Sequence, residues 1–349
     1  MKKSFSIMLG CLLMATMATA APKDSTRYDE LDGLSGSRLW ETLAEITAIG
    51  YHDLGYDGLW TAYKTTDCYP GTTDIWDIYS DCEFTYSKNQ CGNYGKECDC
   101  YNREHSIPKS WFGDTKSKPG SDLFHIYPTD GWVNNKRSNY AYGEVSKANY
   151  TSENGSKLGT SAISGISEEV FEPVDEYKGD LARGFFGTLI HWAENYSFRQ
   201  ESSAKFVFSD GYTSAGGYGL TKYGIEVLMK WHRRDPVSQK EIDRNDGIEA
   251  TQGNRNPFID YPYLAEYFWG EKKGEVVELG FLMSAYDKDF VLGVSDGHRE
   301  GWVKPDNSGN ESEDIDNSVL LPATRKAWQN GQLIFIIDGR RYNLMGQTL

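Results

Sequence analysis

Positive charge is what this 349-residue chain has least of: 36 Lys and Arg stand against 51 Asp and Glu, a net charge of −15. That balance argues against a passive nucleic-acid coat, which gains its affinity from basic side chains neutralising phosphates. It does not exclude a turnover enzyme, which needs only a local basic groove and a metal ion and must release its product. Long apolar runs are also missing beyond the N-terminus, and none approaches the 18 or so residues of a membrane helix. Cysteine is absent after Cys100, and no internal repeat of useful length is present. What is abundant is aromatic: 10 Trp and 23 Tyr are too much apolar surface for a disordered chain.

Lys2 and Lys3 precede an apolar run from Ile7 to Ala15, and Ala18 and Ala20 suit A-x-A cleavage. Residues 1–20 therefore read as a signal peptide, whose removal takes the charge to −17. Lipid attachment at Cys11 is the weaker reading, since Met8-Leu9-Gly10 matches a lipoprotein site poorly. The expected product is exported, whether secreted, on the cell surface or periplasmic, and lacks a membrane span. Export permits disulfides, and Cys68, Cys82, Cys91, Cys98 and Cys100 read as a stapled loop. Zinc fits less well, because Cys98-x-Cys100 is tighter than the usual knuckle.

Periodicity predicts a helix from Ser37 to Ile49, with Leu39, Leu43 and Ile46 on one face, and a second from Asp180 to Tyr196, capped by Asp180. A third runs near Gly224 to Arg234, and a fourth begins at Pro262. Asp53 to Lys88 shows no sustained period and reads as irregular. After Gly270, Val276–Leu282, Phe290–Val294 and Leu333–Ile337 have the composition of short strands, the last pairing with Arg340–Leu344 across Asp338-Gly339. The expected fold class is α+β: a mostly helical body with a small β-rich C-terminal region.

Chemistry concentrates in two segments. Asn102-Arg103-Glu104-His105-Ser106-Ile107-Pro108-Lys109-Ser110-Trp111 places an imidazole at the end of a short strand beside the cysteine staple. Asp122-Leu-Phe-His125-Ile-Tyr-Pro-Thr-Asp130-Gly-Trp-Val-Asn134-Asn-Lys-Arg137-Ser-Asn139 puts Asn134 near a helix start. One carboxylate and one amide carbonyl, Glu104 and Asn134, suffice to hold a hard cation against a phosphate.

Together these segments resemble the bacterial extracellular endonuclease I family, with its N-R-E-H-x-x-P-x-S-[WF] motif and the D-L-H-H to R-[SG]-N motif. Asp180 to Phe186, Trp231-His232, Asp235 to Ser238 and Gln252 to Pro262 resemble its later blocks, and Tyr56 to Trp60 its N-terminal part, so the likeness covers roughly residues 35 to 270. The resemblance implies a ββα-metal nuclease core within residues 21–270, followed by a β-rich region at 271–349. It implies His105 as general base and Glu104 and Asn134 as ligands of one divalent cation, Mg²⁺ first, with Mn²⁺ or Ca²⁺ as alternatives. It further implies a Cys91–Cys100 disulfide, DNA and in some measure RNA as substrate, little base readout, and 5′-phosphate ends.

The sequence departs from that pattern at Phe124, where the family commonly has His; the retained His125 reads as structural. No Arg lies between Trp111 and Phe124 to meet the scissile phosphate, leaving Lys116 or Lys118 as substitutes. Asn135 and Asn139 compete with Asn134 as ligand. Arg103 and Arg137 are candidate substrate contacts, Arg137 being equally suited to bracing its own loop; Arg255 with Asn254 and Asn256 reads as a brace for the Pro257 turn. The C-terminal stretch from Gly331 is similar to short segments on exported proteins of Bacteroidetes-type bacteria, which implies sorting or attachment. Two other readings remain open: an RNA-preferring nuclease, and a surface polymer-binding protein with a vestigial site.

Overall fold

A computed structural model describes residues 26–295, except 193, 213, 214 and 216, together with the strands at 325–329, 332–337 and 340–342. The expected signal peptide lies outside the described residues. The chain divides into two compact units, Met1–Glu300 and Gly301–Leu349.

In the first unit α1 (Gly36–Ala48) and α2 (Gly55–Thr66) precede β1 (Tyr101–His105) and a single-turn α3 (Lys109–Phe112). Then come β2 (Ile126–Asp130), α4 (Gly131–Arg137), β3 (Ala141–Tyr142), β4 (Val145–Thr151), β5 (Lys157–Ser161) and β6 (Glu169–Glu172). The helices α5 (Lys178–Trp192), α6 (Ser202–Val207), α7 (Lys222–Arg234), α8 (Gln239–Gln252), α9 (Pro257–Asp260) and α10 (Ala265–Trp269) complete it. The fold class is α+β, as the sequence indicates. The four-stranded sheet, ordered β3-β6-β5-β4, was not expected within the helical body. Its outermost strand β4 is largely exposed, so the alternation that betrays a half-buried strand is muted.

Every residue of α5 is buried, charged ones included. Asp180, expected to cap this helix, instead lies inside its first turn and accepts from Lys240 Nζ at 2.8 Å. Arg183 binds Glu241 through both ends of its fork, Nε to Oε1 at 2.5 Å and Nη2 to Oε2 at 2.7 Å. Glu241 also closes a capping box with Ser238 at the start of α8. Ion pairs with good bidentate geometry therefore join α5 to α8 where apolar contact would ordinarily be found.

The core under the β1-β2 pair is built from Leu59, Tyr63, Phe84, Tyr101, Leu123, Phe124 and Ile126, to which α8 adds Ile248. α2 falls in the segment expected to be irregular; its buried face is Leu59, Ala62, Tyr63 and Thr66, a helical spacing masked by aromatic and glycine content. Val276–Leu282 and Phe290–Val294 are not strands. They form a strap with one 3₁₀ turn at Leu279–Phe281, tied to the body at separate points: Val277 N to Leu34 O and Gly33 N to Val277 O, both at 2.8 Å, Ala285 N to Asp260 O at 3.0 Å, and Gly293 N to Val237 O at 2.9 Å. Ala285 packs with Val237, Ile242 and Ile259, and Tyr286, Phe290 and Leu292 lie partly buried against them, whereas Val276, Phe281, Met283, Val291 and Val294 are exposed.

The second unit contains a three-stranded antiparallel sheet of β7 (Arg325–Gln329), β8 (Gln332–Ile337) and β9 (Arg340–Tyr342). The β8-β9 register pairs Ile337 with Arg340; the turn expected at Asp338-Gly339 lies outside the described residues.

Candidate active site

β1 and β2 pair antiparallel, Glu104 opposite Tyr127 and His105 opposite Ile126, and α4 leaves β2 without a linker. Asp130 makes that junction: its Oδ1 accepts from the Trp132 and Val133 amides at 2.8 and 2.9 Å, capping the helix that carries Asn134. The result is a ββα unit opening on a cleft of about 740 Å³, bordered by Arg103, Glu104, His105, Asn134, Asn135, Arg137 and Asn139. Residues from two distant motifs, expected separately to carry chemistry, thus share one cavity.

Glu104 is 2% exposed and accepts from Tyr79 Oη at 2.9 Å and Arg137 Nη1 at 2.7 Å. Burial pushes its pKa up to about 7 against the opposing pull of Arg137 and Tyr79. Both bonds fall on Oε1, so a second carboxylate oxygen remains as a hard donor. Asn134 Nδ2 donates to Asn102 Oδ1 at 2.7 Å, which fixes the amide so that its carbonyl oxygen is the free end. Among the described residues no three His, Cys, Asp or Glu side chains converge on a metal position. A donor set of one carboxylate and one amide oxygen suits a cation that keeps most of its waters.

His105 Nε2 lies 3.2 Å from the Gly120 carbonyl. A carbonyl only accepts, so Nε2 carries the hydrogen and Nδ1 the lone pair. Burial, reinforced by His125, pulls the ring's pKa down to about 3, so it is neutral at pH 7 and able to take a proton. Tyr56 stacks beside it at 5.8 Å, and His125, fully buried with Nε2 2.7 Å from the Pro119 carbonyl, packs at 5.8 Å.

The two expected substrate arginines differ. Arg103 lies over Tyr56, 3.4 Å from the ring centroid, and 4.5 Å from that of Trp60, with Nη1 bonded to the Tyr56 carbonyl at 2.7 Å and paired with the exposed Asp57 at 3.3 Å; the residue borders the cleft. Arg137 is 1% exposed and turned inward. Its Nη1 also donates to His105 O at 2.7 Å, its Nη2 bonds to Ser106 O, and its guanidinium lies over Tyr142. Of the two readings of Arg137, these contacts are the bracing ones: it ties together Glu104, His105 and Ser106 at the end of β1, while still bordering the cleft. Lys116 and Lys118 do not border the cleft, whereas Lys109 does, exposed at the start of α3. Tyr79 and Asn102, which orient Glu104 and Asn134, went unrecognised in sequence; Asn102 stands inside the N-R-E-H run, but nothing around Tyr79 signals its role. Arg255 pairs with Asp260 at 2.7 Å and Asn256 caps α9, the expected structural parts.

The family model for endonuclease I matches residues 36–263. The chain belongs to the endonuclease I family. It is 32% identical over 266 residues to an extracellular ribonuclease of Bacillus amyloliquefaciens, covering 73% of this chain and 82% of that one. Similarity to an extracellular ribonuclease of Bacillus subtilis (strain 168) is 32% over 264 residues, covering 74% and 83%. An Endonuclease-1 of Buchnera aphidicola (subsp. Baizongia pistaciae, strain Bp) matches at 24% over 192 residues, 49% of this chain and 67% of the other. This endonuclease I protein is a nucleic-acid hydrolase. It forms the Cys91–Cys100 disulfide that the resemblance implied and adds Cys82–Cys98, leaving Cys68 as a thiol. The second bridge reaches the active site directly, because the Cys98 amide donates to Asp130 Oδ2 at 2.7 Å.

Proposed function

We propose that this endonuclease I protein is an exported, divalent-cation-dependent endonuclease, using Mg²⁺ first, that cleaves DNA and RNA with little regard to sequence and leaves 5′-phosphate ends. The observation that carries the proposal is the meeting in one cleft of a neutral imidazole with a fixed tautomer and two hard oxygen donors. His105 Nδ1 takes the proton of a water aligned on phosphorus, and Gly120 holds the ring through Nε2. Glu104 and Asn134 would hold the cation, and positive charge there offsets the charge gathering on the phosphate and the departing 3′ oxygen. Arg103 meets a non-bridging oxygen or a neighbouring phosphate. Recognition through phosphates fits the lack of sequence dependence.

Export is supported by the two disulfides and by the relatives named extracellular. No helix among the described residues is long and apolar enough to cross a membrane. A second reading, preference for RNA, is favoured by the two Bacillus relatives named ribonucleases.

The test is incubation of oxidised protein with supercoiled plasmid and with an RNA transcript, in Mg²⁺ and in EDTA, beside His105→Ala. Loss of cleavage in EDTA and in the variant is expected, with end-labelling showing 5′ phosphates. Cleavage unaffected by EDTA would sink the metal assignment. Tight binding with both polymers left intact would favour the polymer-binding reading instead.

A further inference from the structure

The doubly stapled loop between Cys82 and Cys100 has a part to play beyond stability. Its residue Tyr94 is half-buried and borders the cleft. The ring packs so closely on Gly131, the first residue of α4, that a Cβ there would lie 2.6 Å from Tyr94 Cδ1. The Tyr94 hydroxyl makes no hydrogen bond among the described residues. Tyr56 and Trp60 also border this cleft, with the Arg103 guanidinium lying over both rings. Those two rings are thus occupied by Arg103, and among the described residues Tyr94 is the aromatic ring of this wall that carries no cation.

Charge on the same walls is sparse. Arg137 is spent internally on Glu104 and the backbone, so Arg103 and Lys109 are the cations bordering the cleft with capacity to meet phosphates, in a chain of net charge −15. A duplex presents a charge about every 1.7 Å and is normally held by many basic contacts. Single strands are held with fewer, because stacked bases supply affinity that salt does not screen.

From these two observations we propose that the cleft selects unpaired nucleotides, Tyr94 stacking on a base next to the scissile phosphate while Arg103 and Lys109 meet the flanking phosphates. The substrate class is single-stranded nucleic acid: loops, overhangs and melted segments. This rests on the nuclease reading above, and its test separates the two.

The experiment measures kcat/KM for a single-stranded oligonucleotide, the same sequence locked in a hairpin stem, and bis(p-nitrophenyl) phosphate, which has no base. Wild type is compared with Tyr94→Ala, Tyr94→Phe and Tyr94→Trp, each checked for melting temperature and for a full complement of disulfides. Wild type should prefer the unpaired strand by about tenfold or more, and Tyr94→Ala should lose about tenfold on it, mostly in KM. The same variant should keep hydrolysis of the base-free diester within about twofold, and the aromatic replacements should retain the preference. Equal loss on all three substrates would make Tyr94 a structural residue and overturn the proposal. So would unchanged single-strand activity in Tyr94→Ala, or a wild type that prefers duplex. Wild type inert toward every substrate overturns the nuclease reading itself, and this one with it.

Discussion

Replacing Arg137 by Met tests whether its guanidinium holds the catalytic strand or meets substrate. The side chain is 1% exposed, and its bonds run to Glu104 Oε1 at 2.7 Å, His105 O at 2.7 Å and Ser106 O. Methionine roughly fills the volume but leaves a buried carboxylate without its cation and two carbonyls without a donor. Breaking a buried pair from one side costs about 3–5 kcal/mol. In a body of this size that is a fall in melting temperature of about 6–15 °C. Glu104 is already pushed up to about 7 by burial, so losing Arg137 drives it further toward the protonated form and weakens cation binding. Adding Glu104→Gln should return at least about 1 kcal/mol, since the uncompensated charge is gone. Arg137→Lys should recover only part, because an ammonium cannot span all three acceptors. Calorimetry of wild type, Arg137→Met, Glu104→Gln and the double variant gives the cycle, and a Mg²⁺ titration of activity gives the functional arm. An Arg137→Met protein that melts within 2 °C or so of wild type and differs only by a raised KM would refute the bracing role and restore a substrate contact.

Three further outcomes follow from the same geometry. In metal-free protein the His105 ring should show the neutral Nε2–H tautomer by ¹⁵N NMR down to pH 5, because burial holds its pKa near 3; an imidazolium spectrum at pH 6 would contradict that effect of burial. His232, buried beside Arg183, is likewise lowered to about 3, so below pH 6.5 the unfolded chain takes up a proton that the folded one refuses. Its stability contribution is complete above pH 6.5 and is lost toward pH 3. Between pH 7 and 5 wild type should therefore lose about 2 kcal/mol more than His232→Gln in urea unfolding, and parallel pH curves would count against it. Reducing the disulfides, whose bridged residues are 16 and 9 apart in sequence, should cost about 3 kcal/mol each and raise the Mg²⁺ needed for half-maximal activity. A reduced protein with unchanged Mg²⁺ dependence would separate the staple from the site.

Legibility from sequence followed the kind of force involved. The ββα unit was implied by the family resemblance, and the motifs that carry it are local: N-R-E-H is one strand, and Asn134 follows Asp130 by one helical turn. α8 was missed because its buried face is Arg244, Asn245 and Gln252, with Ile242 and Ile248 the apolar residues among its buried set. Hydrophobic periodicity cannot register a helix that packs through ion pairs; the available signal was the capping pattern Ser238-x-x-Glu241. Arg137 was ambiguous because its partners lie more than thirty positions away and two are carbonyls, which carry no sequence signature. The tautomer of His105 was equally invisible, being set by a glycine carbonyl 15 residues on.

The bond from the Cys98 amide to Asp130 gives the second disulfide a meaning in time as well as in space. A chain that has not yet oxidised lacks the staple that presents Cys98, and with it one of the anchors on the cap of α4 and on the placement of Asn134. The cap of α4 thus gains this anchor at the moment the Cys82–Cys98 pair closes, which ties the order of events in folding to the order of parts in the site.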